Sequence, residues 1–222
     1  MYDFVRWQLI WVAFIVFFAG LVYQTIQFFA LTTEKDPVFL NLKMESKESH
    51  EGRWARRIAA WLASAKRTIW GSYPVVTVMT SIFHACLILT PILLMGHNIL
   101  LDESWGLSFW SFSEFTTDAL TVIFLICAVF FLLRRVFLRR VRVITTAYDY
   151  LVLAIAIAPF VTGFLAYHQW FHYRTVMILH ILAGEVMLMA IPFTKLGHML
   201  FFFFYRFFIG SEYSFVQGTR SW

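Results

Sequence analysis

The chain has 222 residues, of which 60% are hydrophobic and 14% charged, with 18 Lys and Arg against 13 Asp and Glu. An ordinary soluble domain is about 45–50% apolar and about 25% charged, so this composition excludes a soluble globular enzyme, a disordered chain and a nucleic-acid-binding domain. In so apolar a chain the excess of basic residues marks membrane orientation rather than a polyanion partner. Cys86 and Cys127 both lie inside apolar runs and form no CxxC or CxxCH motif.

A bilayer core about 30 Å thick takes about 20 apolar residues in a helix. Five stretches qualify: residues 7–31, 74–101, 115–133, 147–167 and 175–208. They predict an all-α integral membrane protein, a five-transmembrane-helix bundle in which residues 1–222 make a single membrane domain. The first stretch is too long for a signal peptide, lacks a small-residue cleavage site and follows Met-Tyr-Asp rather than a basic cluster. The loop at 32–71 is the one sizeable soluble segment. Its Trp54, Ile58, Trp61 and Leu62 among basic residues predict a partly helical, amphipathic piece suited to a membrane surface or a partner.

That loop carries Lys35, Lys43, Lys47, Arg53, Arg56, Arg57, Lys66 and Arg67, and the connection between spans three and four carries Arg134, Arg135, Arg139, Arg140 and Arg142. The opposite ends of the spans hold only Arg6 and Arg174. The positive-inside rule then predicts a periplasmic N-terminus and a cytoplasmic C-terminus.

Polar residues at membrane depth are costly and are functional candidates by default. Four histidines stand there, His84 and His97 on span two and His180 and His198 on span five. A lone one is ordinarily a hydrogen-bonding group between helices; two on each of two spans form a pattern. On a straight helix the eighteen-residue interval from His180 to His198 is five full turns and about 27 Å of rise, so both point the same way. The thirteen-residue interval from His84 to His97 rises about 20 Å and leaves the two some 140° apart. Pro91 lies within that interval and Pro192 within the other, and a proline in a helix interior kinks it. With spans two and five antiparallel, His84 comes level with His198 near the cytoplasm and His97 level with His180 near the outer face. Each level offers two imidazoles to grip a flat macrocycle. Haem iron takes such ligands, whereas zinc wants four ligands close together.

Gly96 and Gly197 directly precede two of these histidines. They either admit a ring edge close to the backbone or pack helices through small residues. Glu185 lies five residues past His180 and is a candidate quinone or proton site, or the partner of a polar group on a neighbouring helix. Lys195 and Arg174 are placed to neutralise haem propionates at the inner and outer levels, with snorkelling to the interface as the plain alternative. Asp118 and Asp149 near span starts read as helix N-terminal carboxylates. His168 and His172, with Trp170 and Tyr173, read as interfacial belt residues, and His50 as a solvated loop residue. The run Phe201 to Phe208 carries span five past the usual thickness, toward the cytoplasmic interface or a partner subunit.

Several segments together resemble the gamma subunit of respiratory nitrate reductase, the five-span dihaem cytochrome b family. They are Phe83-His84, Gly96-His97, Arg140-Val-Arg142-Val-Ile-Thr145-Thr146-Ala-Tyr-Asp149, Leu179-His180 and Pro192-Phe193-Thr194-Lys195-Leu-Gly-His198. The likeness covers roughly residues 80–205. Gly96-His97-Asn98, Thr145 to Asp149, Pro159 to Ala166 and Pro192 to Lys195 are more similar still to the short cytochrome b subunits of the Hmc and Tmc complexes of sulfate-reducing bacteria. The resemblance implies a multi-pass protein of the bacterial inner membrane with two b haems, whose iron takes His84/His198 and His97/His180 as axial pairs. It also implies a non-catalytic electron-transfer subunit that meets a periplasmic multihaem cytochrome c on the outer face and an iron–sulfur subunit related to heterodisulfide reductase on the cytoplasmic face, beside other membrane subunits. In the nitrate reductase family the same subunit oxidises quinol near the outer haem, so a menaquinone-reactive cytochrome is the alternative. A haem-free membrane anchor or transporter is the third. The chain departs from that family in the wider first histidine interval and in having no lysine from Asp102 to Asp118, where the family places one near its quinol site.

Overall fold

The computed structural model describes residues 2, 4–33, 73–202 and 204. The expected amphipathic loop, with His50, lies outside the described residues, as does the end of the aromatic run after Phe204. Among the described residues there is no β-strand. Five helices, Phe4–Ala30, Pro74–Leu93, Glu114–Phe137, Ala147–Tyr167 and Tyr173–Phe193, are long and apolar enough to cross a membrane. Large apolar side chains point outward along them, with Ile15 64%, Phe115 83% and Phe137 74% exposed. A helix apolar on every side belongs in lipid or in the core of a large protein. The chain divides into two compact units, residues 36–134 and residues 1–35 with 135–222.

In the unit of residues 36–134, helix α2 (Pro74–Leu93) opens on a proline at its first turn, where the missing N–H costs nothing. It buries Phe83, Cys86 and Thr90, spaced three and four residues apart and therefore on one face. Phe83 stacks on Phe124 of α4 (Glu114–Phe137), with centroids 4.6 Å apart, and meets Phe131 edge-on. The hydroxyls of Thr117 and Thr121 bond the carbonyls of Ser113 and Thr117 one turn back at 3.1 and 2.9 Å, which satisfies them without water.

Span two is not one rod. It stops three residues after Pro91, at Leu94 (φ −71°, ψ 126°), and restarts as α3 (Met95–Trp105). The return loop seals the gap: Phe112 N–H donates to Leu93 O at 2.9 Å, and Asn98 Nδ2 donates to Ser111 Oγ at 2.7 Å. α3 ends on Gly106 at φ +66°, whose N–H bonds Asp102 O at 2.9 Å, the left-handed stop that glycine adopts without strain.

In the other unit, α1 (Ile10–Thr33), α5 (Ala147–Tyr167) and α6 (Tyr173–Ala190) lie side by side. At the start of α5 the Asp149 carboxylate accepts the backbone N–H and the hydroxyl of Thr146 at 2.8 and 2.9 Å, tying down orphan donors of the first turn. α1 and α6 run parallel: Tyr2 stacks against Arg174, Gly20 meets Pro192, and Phe28 meets Phe201. A Cβ on Gly20 would lie 2.6 Å from Pro192 Cγ, so only glycine allows this approach.

Span five also breaks. After Ala190 come 3₁₀ turns at Ile191–Phe193 and Lys195–Gly197, separated by extended Thr194, and residues 198–202 turn helical again. Pro192 lacks the N–H of a regular turn, Thr194 Oγ1 accepts Leu196 N–H at 3.2 Å, and Gln24 Nε2 of α1 donates to Pro192 O at 2.8 Å. The straight-helix register that set His180 and His198 on one line therefore does not apply, because the rod between them unwinds.

Candidate functional site

His84, His97, His180 and His198 share one kind of hydrogen bond. His84 Nδ1 lies 2.8 Å from Thr80 O, His97 Nδ1 2.8 Å from Pro91 O, His180 Nδ1 2.9 Å from Pro159 O and His198 Nδ1 2.6 Å from Lys195 O. A carbonyl oxygen only accepts, so in each ring Nδ1 carries the hydrogen and donates. In the neutral imidazole Nε2 is then the nitrogen with the lone pair. This is how metal-ligating histidines are held, with the second ring nitrogen bonded to a carbonyl that fixes tautomer and ring orientation. The donor set fits a haem iron, which needs two axial imidazoles and takes its other four nitrogens from the porphyrin. Among the described residues no three His, Cys, Asp or Glu side chains converge as ligands to a metal ion.

The helix breaks take part directly. Pro91 is among the last four residues of α2, whose carbonyls have no partner within the helix, and His97 from α3 bonds its oxygen. Lys195 O belongs to the 3₁₀ turn that precedes His198.

His180 is held across helices. Pro159 O of α5 accepts its Nδ1–H and also the Thr162 hydroxyl at 3.2 Å, and Thr162 Oγ1 is 3.4 Å from Nδ1. Beneath the ring lies Gly163: a Cβ there would sit 2.9 Å from His180 Cε1 and 3.1 Å from Nδ1. Pro159, Thr162 and Gly163 therefore build the seat of His180, a role that the sequence reading did not give them. The signal that was present is a glycine and a threonine side by side, one turn after a proline, in an otherwise apolar span.

The other candidates fall as follows. A Cβ on Gly96 would meet nothing within 4 Å, whereas one on Gly197 would press on Ile191 O at 3.1 Å, so Gly197 serves the doubled-back backbone. Lys195 Nζ pairs with Asp149 Oδ1 at 2.6 Å and lies 5.5 Å over the Tyr148 ring. Arg174 stacks on Tyr2 at 6.0 Å. His168 packs on Phe164 and Trp170, and His172 Nδ1 meets Thr175 Oγ1 at 3.1 Å. Glu185 is 2% exposed, and neither carboxyl oxygen has a hydrogen-bond partner among the described residues. Five residues turn it about 140° around α6 from His180.

These features define a class, a multi-pass helical membrane protein with five apolar spans and four histidines whose Nδ1 bonds a main-chain carbonyl. The chain belongs to the family of a protein from Nitratidesulfovibrio vulgaris (strain Hildenborough). The two are 36% identical over 219 residues, 98% of this chain and 96% of the relative, which carries no functional name. No family model and no solved structure matches the chain.

Proposed function

We propose that this chain is a dihaem cytochrome b subunit of a respiratory membrane complex. In this reading it carries electrons across the membrane between a periplasmic multihaem cytochrome c and a cytoplasmic iron–sulfur subunit. The observation that carries the reading is the shared Nδ1-to-carbonyl bond of His84, His97, His180 and His198. Four imidazoles with one tautomer and one lone-pair nitrogen each are what two bis-histidine haems require. When bound, haem supplies a one-electron ferric–ferrous couple tuned by its ligands and surroundings.

The protein's part is orientation. The Nδ1 bonds raise the basicity of Nε2 and fix each ring plane. The thirteen basic residues of two connections, against Arg6 and Arg174, support a periplasmic N-terminus and so one ligand level near each membrane face. Glu185 favours a second form of the reading, in which menaquinol gives or menaquinone takes the electrons, because a buried carboxyl without a hydrogen-bond partner can hand a proton to or from a quinone.

The test is spectroscopic. The purified protein should show a b-type band in reduced-minus-oxidised spectra and two haems per chain by pyridine haemochrome assay. Each of His84→Ala, His97→Ala, His180→Ala and His198→Ala should lower the count to one. A colourless protein, or one keeping two haems after these changes, refutes the proposal.

A further inference from the structure

Between α1 and the unwound segment after α6 lies an open cleft of about 840 Å³. α1 contributes Gln24, Gln27 and Phe28, and the far wall contributes Lys195, His198 and Phe201. Irregular backbone at membrane depth is tolerated where it is buried in protein or lines a cavity, and span five unwinds at this cleft. α1 is fixed to the same place by two contacts, the close approach of Gly20 to Pro192 and the bond from Gln24 Nε2 to Pro192 O. Gln27 stands three residues on from Gln24, on the same face. Its amide would be costly in hydrocarbon, and it lines the cleft instead. Phe28 and Phe201 add an aromatic wall, their centroids 6.1 Å apart.

We infer that α1 forms one wall of the site of the haem held by His198, with the amide of Gln27 and the ammonium of Lys195 taking the propionate edge and Phe28 and Phe201 the porphyrin face. The inference rests on the proposed haem function and assigns α1 a part that the ligand histidines alone do not. The chemistry is matched in two respects. A porphyrin is flat and apolar with two carboxylates on one rim, and the cleft sets its hydrogen-bond donors and its aromatic rings on separate residues. Lys195 has three N–H donors, of which the pair with Asp149 Oδ1 engages one.

The test is Gln27→Leu in the purified full-length protein. Leucine suits a lipid-exposed helix, and unchanged elution and melting verify the fold. One of the two b haems should transfer to excess apomyoglobin roughly 10- to 150-fold faster, the loss of one hydrogen bond to a charged group. The same haem should shift its midpoint potential and low-spin EPR signal, while the other keeps all three values. Phe28→Leu should shift the potential of that same haem. If both haems behave as in the unaltered protein in the two variants, α1 is no part of the site and the inference falls. Absence of any b-type band would instead refute the proposed function itself.

Discussion

Gly163→Ala tests the seat of His180. The new Cβ would lie 2.9 Å from Cε1 and 3.1 Å from Nδ1 of the imidazole. Carbon atoms pack best at about 3.5–4.0 Å, so the ring must retreat by roughly 0.5–1 Å. The bond from Nδ1 to Pro159 O, now 2.9 Å, then stretches past the limit of a useful hydrogen bond, about 3.2 Å. Loss of that bond costs about 0.5–1.5 kcal/mol and overpacking typically about 1–3 kcal/mol. The expected destabilisation is therefore about 2–4 kcal/mol, a fall of roughly 5–15 °C in Tm for a chain of this size. Gly184→Ala is the matched control, because nothing lies within 4 Å of a Cβ there. Alanine is favoured over glycine in a helix by about 0.5–1 kcal/mol, so that variant should melt at or above the unaltered protein. Melting in detergent, with the visible spectrum recorded alongside, reads both. If Gly163→Ala melts like Gly184→Ala and keeps its spectrum, His180 is not seated as described.

Three further changes probe the breaks and their seals. Gly20→Ala sets a Cβ 2.6 Å from Pro192 Cγ and 3.0 Å from Phe193 Cζ; the proline ring cannot swing aside, so a loss of about 1–3 kcal/mol is expected in detergent melts. Ser111→Ala removes the acceptor 2.7 Å from the buried Asn98 amide and should cost about 1–3 kcal/mol, whereas the double change Asn98→Leu/Ser111→Ala should recover most of it, since replacing both partners leaves no buried donor unmet. A double variant no more stable than Ser111→Ala would contradict that account. Gly106→Ala places a Cβ at φ +66° with open space around it, so its cost of about 1–2 kcal/mol is conformational and should appear as a lower melting point without any spectral change.

The spans were legible because lipid demands long apolar helices, and no competing pattern reads as Phe4–Ala30 or Glu114–Phe137 does. Two of the five were nevertheless read as continuous helices, one of them kinked, where the structure breaks them. Pro91 announces a kink, but the break falls at Leu94, where Phe112, Asn98 and Ser111 seal it, and a partner that returns from a loop leaves no mark in the local sequence. At the other end the eighteen-residue interval looked sufficient, so the proline within it drew no correction. Pro192, Thr194 and Gly197 unwind the segment together, and Gln24, 168 residues away, completes it. The histidines were visible by residue type alone. What holds them was not: the Nδ1 acceptors are main-chain oxygens, which every residue carries and no sequence pattern marks.

The two spans that carry the histidines are the two that are interrupted, and the interruptions are closed in part by the histidines themselves, His97 on Pro91 O and His198 on Lys195 O. A ring that plugs a gap in its own main chain cannot be re-aimed without reopening that gap. Whatever seizes Nε2 therefore also tightens the splice on the far side of the imidazole, and whatever releases it slackens two joints at once. On the proposed function, a polypeptide synthesised without haem should therefore be the form that quality-control proteases find first.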